Sequence, residues 1–366
     1  MKIRCSQSQL LFGINTVQKA VPTKTSMTIL ECILFTADEN GIKLTANNME
    51  LGIETYIEGT VEEAGQIAVD SKFISNLIRS YSEDEVFIES GDDETVHIKC
   101  GKSNIEMKGR NPEEFVLLPE LDKSSPIEIS QFSLKELIRQ TIFSISDNDA
   151  NKIMTGELFE INQDQFKVVS LDGHRISVRN ITLKNSYDNN SVIVPGKTLL
   201  ELSKIIPGDV DKDVSIYLCE NHVIFEYESV KVVSRIIEGN YFKIDQMISN
   251  DYETKIDVSK KELLEVINRS TYLVKEGDKK PIVLDVKDNV ITLSINSTMG
   301  SMNDDVDIEK TGKDIVIGFN PKFLIDALRV IDDETVTLYM VNPKAPCIIK
   351  NDDASYLYLI LPVNFN

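Results

Sequence analysis

The residues best placed to do chemistry lie in one stretch, Ser170-Leu171-Asp172-Gly173-His174-Arg175-Ile176-Ser177-Val178. Asp172 and His174 flank the glycine of an Asp-Gly turn. At that spacing a carboxylate can orient an imidazole for general acid–base work, as a hydrolase would use it. No nucleophile or second base accompanies them. A turn whose His and Arg satisfy neighbouring backbone accounts for the same residues without catalysis. His97, His174 and His222 are the only histidines, and none has metal-ligand spacing. Phosphate-loop, dinucleotide-binding and nucleophile-elbow motifs are missing. The sequence therefore reads as non-enzymatic, with no metal or cofactor.

A second chemistry is electrostatic. The net charge of −20 taken alone argues against nucleic acid, because phosphate binding needs a basic surface. The charge is unevenly spread, however. Six windows with helical periodicity and capping signals are 6–20, 71–80, 133–144, 197–206, 259–275 and 321–331. They hold 13 Lys/Arg against 5 Asp/Glu, a net of +8, while the remainder holds 26 against 54, a net of −28. One reading is that helices merely favour Lys and Arg, although Glu suits a helix as well as Lys does. The other is a helical face turned toward something anionic.

The elements that carry these residues recur. Ser6-Gln7-Ser8-Gln9-Leu10, Ser133-Leu134-Lys135-Glu136-Leu137 and Ser259-Lys260-Lys261-Glu262-Leu263 are offset by 127 and 126 residues. Each follows a short alternating strand and reads as a capping box. Lys72, Lys197 and Lys322 stand 125 residues apart, each just inside a later helix. Apolar stripes predict first helices packed on a sheet: Leu10, Leu11, Ile14 and Val17, then Leu134, Leu137, Ile138 and Ile142, then Leu263, Leu264, Val266 and Ile267. Short strands follow, and acidic turns at 82–85, 209–213 and 332–334 close each second helix. The pattern predicts an α+β fold of three tandem two-helix, antiparallel-sheet domains, at 1–120, 121–248 and 249–366. Linkers fall at 118–126 and 246–254. Neighbouring copies would pair their sheet edges, leaving one free edge on each terminal copy. Cys5, Cys32, Cys100, Cys219 and Cys347 read as buried apolar residues of a reducing cytosol. No apolar run approaches membrane-spanning length and the N-terminus lacks a signal-peptide core, which predicts a cytoplasmic protein.

The stretch at 170–178 is joined by Ser191-Val192-Ile193-Val194-Pro195, by Ile317-Gly318-Phe319-Asn320 and by Leu359-Ile360-Leu361-Pro362-Val363. Together they resemble the bacterial DNA polymerase III beta subunit family, the sliding clamps, over the whole chain. The resemblance implies a homodimer closed head to tail into a six-domain ring around duplex DNA, with helices lining the hole. It implies a processivity factor for DNA replication that is served by a clamp loader. Replicative polymerase and repair proteins would dock through a short peptide motif. Two rival readings stand beside it: a monomeric three-domain interaction scaffold, and a hydrolase using Asp172 and His174.

On this resemblance the DNA-facing lining draws on Lys19, Arg79, Lys135, Arg139, Lys197 and Lys204, and further on Lys260, Lys261, Arg269, Lys322 and Arg329. Lys24 and Asn148 match a basic and a polar contact position of the family. Such contacts read backbone charge and not base edges, so the ring slides on any sequence. At the free edges, Lys99, Lys102, Lys108 and Arg110 of copy one would face Asp304, Asp305, Asp307 and Glu309 of copy three. Ile105 and Leu273 match apolar interface positions, and Lys72 is placed with this dimer interface. The partner-peptide pocket would use Met154, Leu171, Gly173, His174, Arg175 and Ile176. It would add Phe242, Met247, Asn320, Phe323, Ile360, Leu361, Pro362 and Val363. Met and Leu give an adaptable groove, and Gly173 is expected to let a backbone approach closely. Two departures alter a pocket wall and the tail charge. Tyr241-Phe242-Lys243-Ile244 replaces a Tyr-Pro-Asp-Tyr-like stretch, and Leu361-Pro362-Val363-Asn364 replaces an ending of the type Met/Leu-Pro-x-Arg.

Overall fold

In each copy a strand runs directly into a helix, and a serine at the joint caps it. The computed structural model describes all residues except 83, 92, 124, 149, 275–279 and 366. Glu83 of the first acidic turn, Ser124 of the first linker and residue 275 of the fifth helical window lie outside the described residues. Copy one contains β1 (Lys2–Ser6), α1 (Gln7–Val17), β2 (Cys32–Asp38), β3 (Gly41–Asn47), β4 (Leu51–Ile57), β5 (Thr60–Glu63) and β6 (Gly65–Asp70). It closes with α2 (Ser71–Ser80), β7 (Glu85–Ser90), β8 (Thr95–Cys100) and β9 (Ser103–Lys108). Copy two contains β10 (Ile127–Ser130), α3 (Gln131–Thr141), β11 (Gly156–Leu171), β12 (Arg175–Pro195), α4 (Gly196–Ile205), β13 (Asp213–Leu218), β14 (His222–Tyr227) and β15 (Val230–Arg235). Copy three contains β16 (Thr254–Ser259), α5 (Lys260–Thr271), β17 (Ile282–Lys287), β18 (Val290–Ser297), β19 (Gly300–Gly312) and β20 (Ile315–Phe319). It ends with α6 (Pro321–Val330), β21 (Thr335–Met340), β22 (Cys347–Lys350) and β23 (Tyr356–Ile360).

The caps correct one register. Ser6 Oγ accepts from the Gln9 N–H at 3.2 Å, and Ser259 Oγ from the Glu262 N–H at 3.4 Å. In copy two the cap is Ser130, not Ser133: the Ser133 N–H donates to Ser130 Oγ at 3.1 Å. Ser130 is the last strand residue, as Ser6 and Ser259 are, so the helix cannot wait for Ser133. A second bond repeats in step. The N–H groups of Gln7, Gln131 and Lys260 donate to the carbonyls of Asp84, Lys212 and Glu334 in the three acidic turns. Lys72, Lys197 and Lys322 all occupy the second position of their helices and are exposed, as the spacing predicts.

The contacts divide the chain into two compact units. The first joins Met1–Leu134 with Lys197–Ile236. It holds the sheets β5-β1-β7-β8-β9 and β10-β13-β14-β15-β4-β3-β2-β6. The second joins Lys135–Gly196 with Ile237–Asn366 and holds the sheet β11-β12-β23-β22-β21-β16-β19-β18-β17-β20. Neighbouring strands in these sheets run antiparallel. Strands alternate as one-faced burial requires: Ile256 and Val258 of β16 point inward, Lys255 and Asp257 less so. Helix α1 buries Leu10, Ile14 and Val17, and α5 buries Leu263, Val266 and Ile267. Each such side chain contributes roughly 1.5–3 kcal/mol of apolar burial. Ile142 leaves the α3 stripe, because the helix tightens into a 3-10 turn over Ile142–Ser144.

Edges pair between copies in the same way twice. In the first unit β4 of copy one pairs with β15 of copy two, with Gly52 opposite Val233. In the second unit β12 of copy two pairs with β23 of copy three, with Ile176 opposite Leu359. Among the described residues β9 is bonded only to β8, and residues 300–305 of β19 only to β18. Four cysteines are buried, but Cys219 is half-exposed, its thiol 3.5 Å from the Asp122 carbonyl. Among the described residues no helix is long and apolar enough to cross a membrane.

Candidate peptide pocket and nucleic-acid interface

The turn between β11 and β12 is built by Asp172. Its Oδ1 accepts from the N–H groups of His174 and Arg175 at 2.9 and 3.1 Å. Its Oδ2 accepts from Arg175 Nε at 3.0 Å. Gly173 takes φ +87°, a left-handed conformation that a glycine adopts without strain. A Cβ there would meet nothing of this chain within 4 Å, and the glycine carries the positive φ that the turn requires. Both carboxylate oxygens of Asp172 are thus occupied away from the His174 ring, which removes the acid–base reading. His174 instead stacks on Phe323 of α6, with ring centroids 6.0 Å apart.

Arg175 locks three elements together. It is 7 % exposed, yet its Nη1 donates to Asp326 Oδ2 of α6 at 2.7 Å, and its Nη2 donates to the Phe143 carbonyl. Its guanidinium also lies over the Phe323 ring at 4.6 Å and the Phe143 ring at 5.4 Å. A charge buried this deeply is tolerated only when it is paired and fully bonded. Asp326 and Phe143 could not be found from sequence, because neither belongs to a local motif.

Around this lock the pocket residues divide. Leu171, Ile176, Met154 and Phe242 pack in one apolar cluster with Val169, Val178, Ile244 and Leu359. Ile360 is buried opposite Arg175 in the sheet, and the Leu361 N–H donates to the His174 carbonyl at 2.9 Å. Phe323 is half-buried, whereas Met247 is 48 % and Leu361 36 % exposed. Asn320 caps α6 by accepting from the Lys322 N–H, and the Val363 N–H donates to the Gly318 carbonyl. Tyr241, beside Phe242 in the same cluster, donates its hydroxyl to the Val169 carbonyl at 3.2 Å. The second unit thus gathers these residues along one turn, one helix start and one tail.

Glu157 of β11 lies in the same unit, fully buried, with neither carboxylate oxygen bonded. Burial pushes its pKa well above the ordinary 4.5, offset in part by the Thr141 hydroxyl. That hydroxyl itself donates to the Leu137 carbonyl. Burial, and then the nearby Glu157, raise the Tyr241 phenol.

The basic candidates fall into two groups. Lys24, Lys197, Lys261 and Lys322 are exposed and Lys19 is half-exposed, and among the described residues none of the five makes an ion pair. Lys72, Lys197 and Lys322 also face the positive end of their own helix dipoles, a placement that costs about 0.3–1 kcal/mol each and so does not serve stability. The others are already engaged. Arg139 holds Glu136 at 2.6 Å and Asp332 at 3.3 Å; Glu136 and then Asp332 raise its pKa against the opposing effect of burial. Lys204 holds Glu201 at 2.7 Å, and Lys260 Nζ donates to the Ile331 carbonyl at 2.7 Å. Arg79 and Arg329 donate to Asn15 and Asn268, an equivalent pair in copies one and three. Lys135 is half-buried, and the exposed Asn148 spends its Oδ1 on the Ala150 N–H.

At the two free edges, Lys102 is exposed and Ile105 half-buried on β9, and Leu273 is half-buried beside Gly300. Asp304 pairs with Arg269 at 2.7 Å, joining two residues that had been placed in different sites, and Asp305 accepts from Thr292. Lys108 turns back to Asp93, and Arg110 to Thr28.

The sequence matches the three domains described for the DNA polymerase III beta subunit: N-terminal over residues 1–119, central over 128–243 and C-terminal over 245–364. A beta sliding clamp of Staphylococcus aureus is 30% identical over 374 residues, covering 99% of both chains. A chain from Eubacterium rectale solved as a DNA polymerase III beta subunit superposes with a TM-score of 0.97 at 59% identity, covering 100% of both chains. The DNA polymerase sliding clamp of Bacillus subtilis superposes with a TM-score of 0.96 at 29% identity, covering 100% of this chain and 99% of that one. The chain belongs to the DNA polymerase III beta subunit family, the beta sliding clamps.

Proposed function

We propose that two copies of this chain close head to tail into a ring that encircles duplex DNA and holds polymerase and repair proteins on it. The observation that carries this reading is the junction built twice. The pairings β4 with β15 and β12 with β23 leave β19 and β9 as the third, unmatched pair. A second subunit completes it, and the two equal contacts give a two-fold dimer. Transferring the internal registers to that contact sets Ile105 opposite Met302 of the partner subunit, with Lys102 near the acidic pair Asp304 and Asp305. Basic edge against acidic edge fixes polarity and rejects like-with-like pairing.

In this reading domains 1–120, 121–248 and 249–366 each contribute two helices to the hole. Lys19, Lys24, Lys197, Lys261 and Lys322 meet phosphate first, because among the described residues they have no ion pair to break. Arg139, Lys204 and Arg269 must exchange a carboxylate for a phosphate, which keeps their contacts weak and salt-sensitive. Weak contacts suffice, because closure and not affinity keeps the ring on DNA. The cluster around Leu171, Ile176, Met154 and Phe242 takes the apolar residues of a partner peptide, with His174, Phe323 and the tail residues Leu361–Val363 as its rim. A loader must open the ring. The protein works in the cytoplasm and makes or breaks no covalent bond. Sedimentation at micromolar concentration tests the closure: a mass twice the 41.2 kDa chain is expected, falling toward one chain in the double variant Asp304→Lys/Asp305→Lys. A single-chain mass for the unmodified protein would favour the monomeric scaffold instead.

A further inference from the structure

In each copy the chain leaves its last strand by the same bond. The N–H groups of Arg110, Ile237 and Val363 donate to the carbonyls of Ala68, Ile193 and Gly318 at 2.8, 2.8 and 2.9 Å. The strand registers then fix equivalent positions on the sheet face beyond that bond. Leu34, Leu158 and Val283 correspond, as do Thr45, Val169 and Ser294. Asn47, Leu171 and Asn296 correspond, and so do Gly52, Ile176 and Ser301.

In copies one and two the segment that follows the last strand lies across this face. Phe115 and Val116 pack in a cluster with Leu34, and Asn47 Nδ2 donates to the Val116 carbonyl at 2.9 Å. Leu118 stands 2.7 Å from where a Cβ on Gly52 would be, so the glycine makes room for it. Tyr241 and Phe242 cover Leu158, Val169, Leu171 and Ile176 in copy two. The covered positions are dry: Thr45 is 1 % and Leu171 3 % exposed. In copy three the same face is an open cavity of about 750 Å³, lined by Pro281, Val283, Ser294, Asn296 and Ser301 and closed on one side by the tail residue Phe365. Val283 and Ser294 are only half-buried, and Asn296 and Ser301 are exposed.

We propose that this cavity docks an extended peptide segment of a protein partner, seated on copy three as the segments after the last strands are seated on copies one and two. Asn296 repeats Asn47, and its amide donates to a peptide carbonyl. Pro281, Val283 and Phe365 offer an apolar wall for one aromatic or branched side chain, the part played by Phe115 in copy one. The serines leave space for main chain. The site is separate from the cluster around Leu171, and its wall residue Ser301 lies on the β19 edge that ring closure would pair.

The chain supplies its own probe, a capped, dye-labelled peptide with the sequence of residues 114–119, Glu-Phe-Val-Leu-Leu-Pro. Fluorescence anisotropy with the full-length protein should show saturable binding. Asn296→Ala should weaken it about 3- to 10-fold, the worth of one hydrogen bond. Ser294→Phe, which fills the cavity, should abolish it, and Met154→Ala should leave it unchanged. No saturation at millimolar peptide, binding indifferent to both cavity variants, or binding lost in Met154→Ala would overturn the proposal. Should Ser294→Phe not fold, Asn296→Ala decides alone, since an exposed side chain is removed without disturbing the core.

Discussion

Two turns at equivalent places, 47–52 in copy one and 171–176 in copy two, share one backbone device and differ in everything attached to it. Asn48 Oδ1 accepts from the N–H groups of Glu50 and Leu51 at 3.0 and 2.8 Å, as Asp172 Oδ1 does from His174 and Arg175. Met49 at φ +74° stands where Gly173 stands at +87°. Each turn accepts the same bond from the next copy, from the Arg235 N–H to Glu50 and from the Leu361 N–H to His174. Copy one then buries Leu51, while copy two buries Arg175 among Asp172, Asp326 and two phenylalanines. The turn is therefore scaffold. The Arg–His–Phe dressing is built on the copy-two turn and not on the copy-one turn, with Phe323 and Asp326 supplied by α6 of copy three, and that is where the peptide pocket is proposed.

The largest effect should come from breaking that dressing. Arg175→Ala strands two half-buried carboxylates beside the buried guanidinium site and should cost about 3–5 kcal/mol in chemical denaturation. A loss under 1 kcal/mol would mean the guanidinium is ornamental. The next largest comes from exchanging the turn residues. Asp172→Asn keeps the turn, as Asn48 shows, but weakens the charged bond to Arg175, for a loss of about 1.5–3 kcal/mol. Asn48→Asp should change stability by less than about 0.5 kcal/mol, and equal losses at both turns would erase the distinction.

A smaller effect sharpens the same contrast within the sheet. By register Glu157 occupies the place of Ile33 in copy one and Ile282 in copy three. Burial raises the folded pKa of its carboxyl above the unfolded 4.5. The sign follows from linkage: below 4.5 both states are protonated and no penalty applies, and as pH rises through 4.5 toward the folded value the wild type loses stability. Thermal melts of Glu157→Gln against wild type should diverge upward with pH over that range, and parallel curves would show that the carboxyl is already ionised. The smallest effect has two opposite parts. Lys197→Ala should stabilise by about 0.3–1 kcal/mol by relieving the helix dipole. It should also lower the salt slope of DNA association by about 1. A loss of stability with no change in slope would make Lys197 structural.

The repeat, the strand-to-helix grammar and the second-helix lysines were legible in the sequence, because caps and periodicity are local. The Ser130 cap was hidden by a better-looking Ser-x-x-Glu three residues later, and only the end of β10 decides between them. The stretch at 170–178 was legible as a motif, yet Asp326 and Phe143, which hold its Arg175, were not, since they reach it over 151 and 32 residues of chain. Charge counting found basic helices but could not tell Lys322, which has no ion pair among the described residues, from Arg139 and Arg269, which carry their own carboxylates. Pairing of that kind depends on which turns the sheet brings beside each helix.

The closed ring is tested most directly by loading the protein on a circular duplex and then cutting the circle once. The account predicts that the protein stays on the intact circle through a high-salt wash and leaves within the time needed to slide off the cut ends. Equal retention on circular and linear DNA would contradict it.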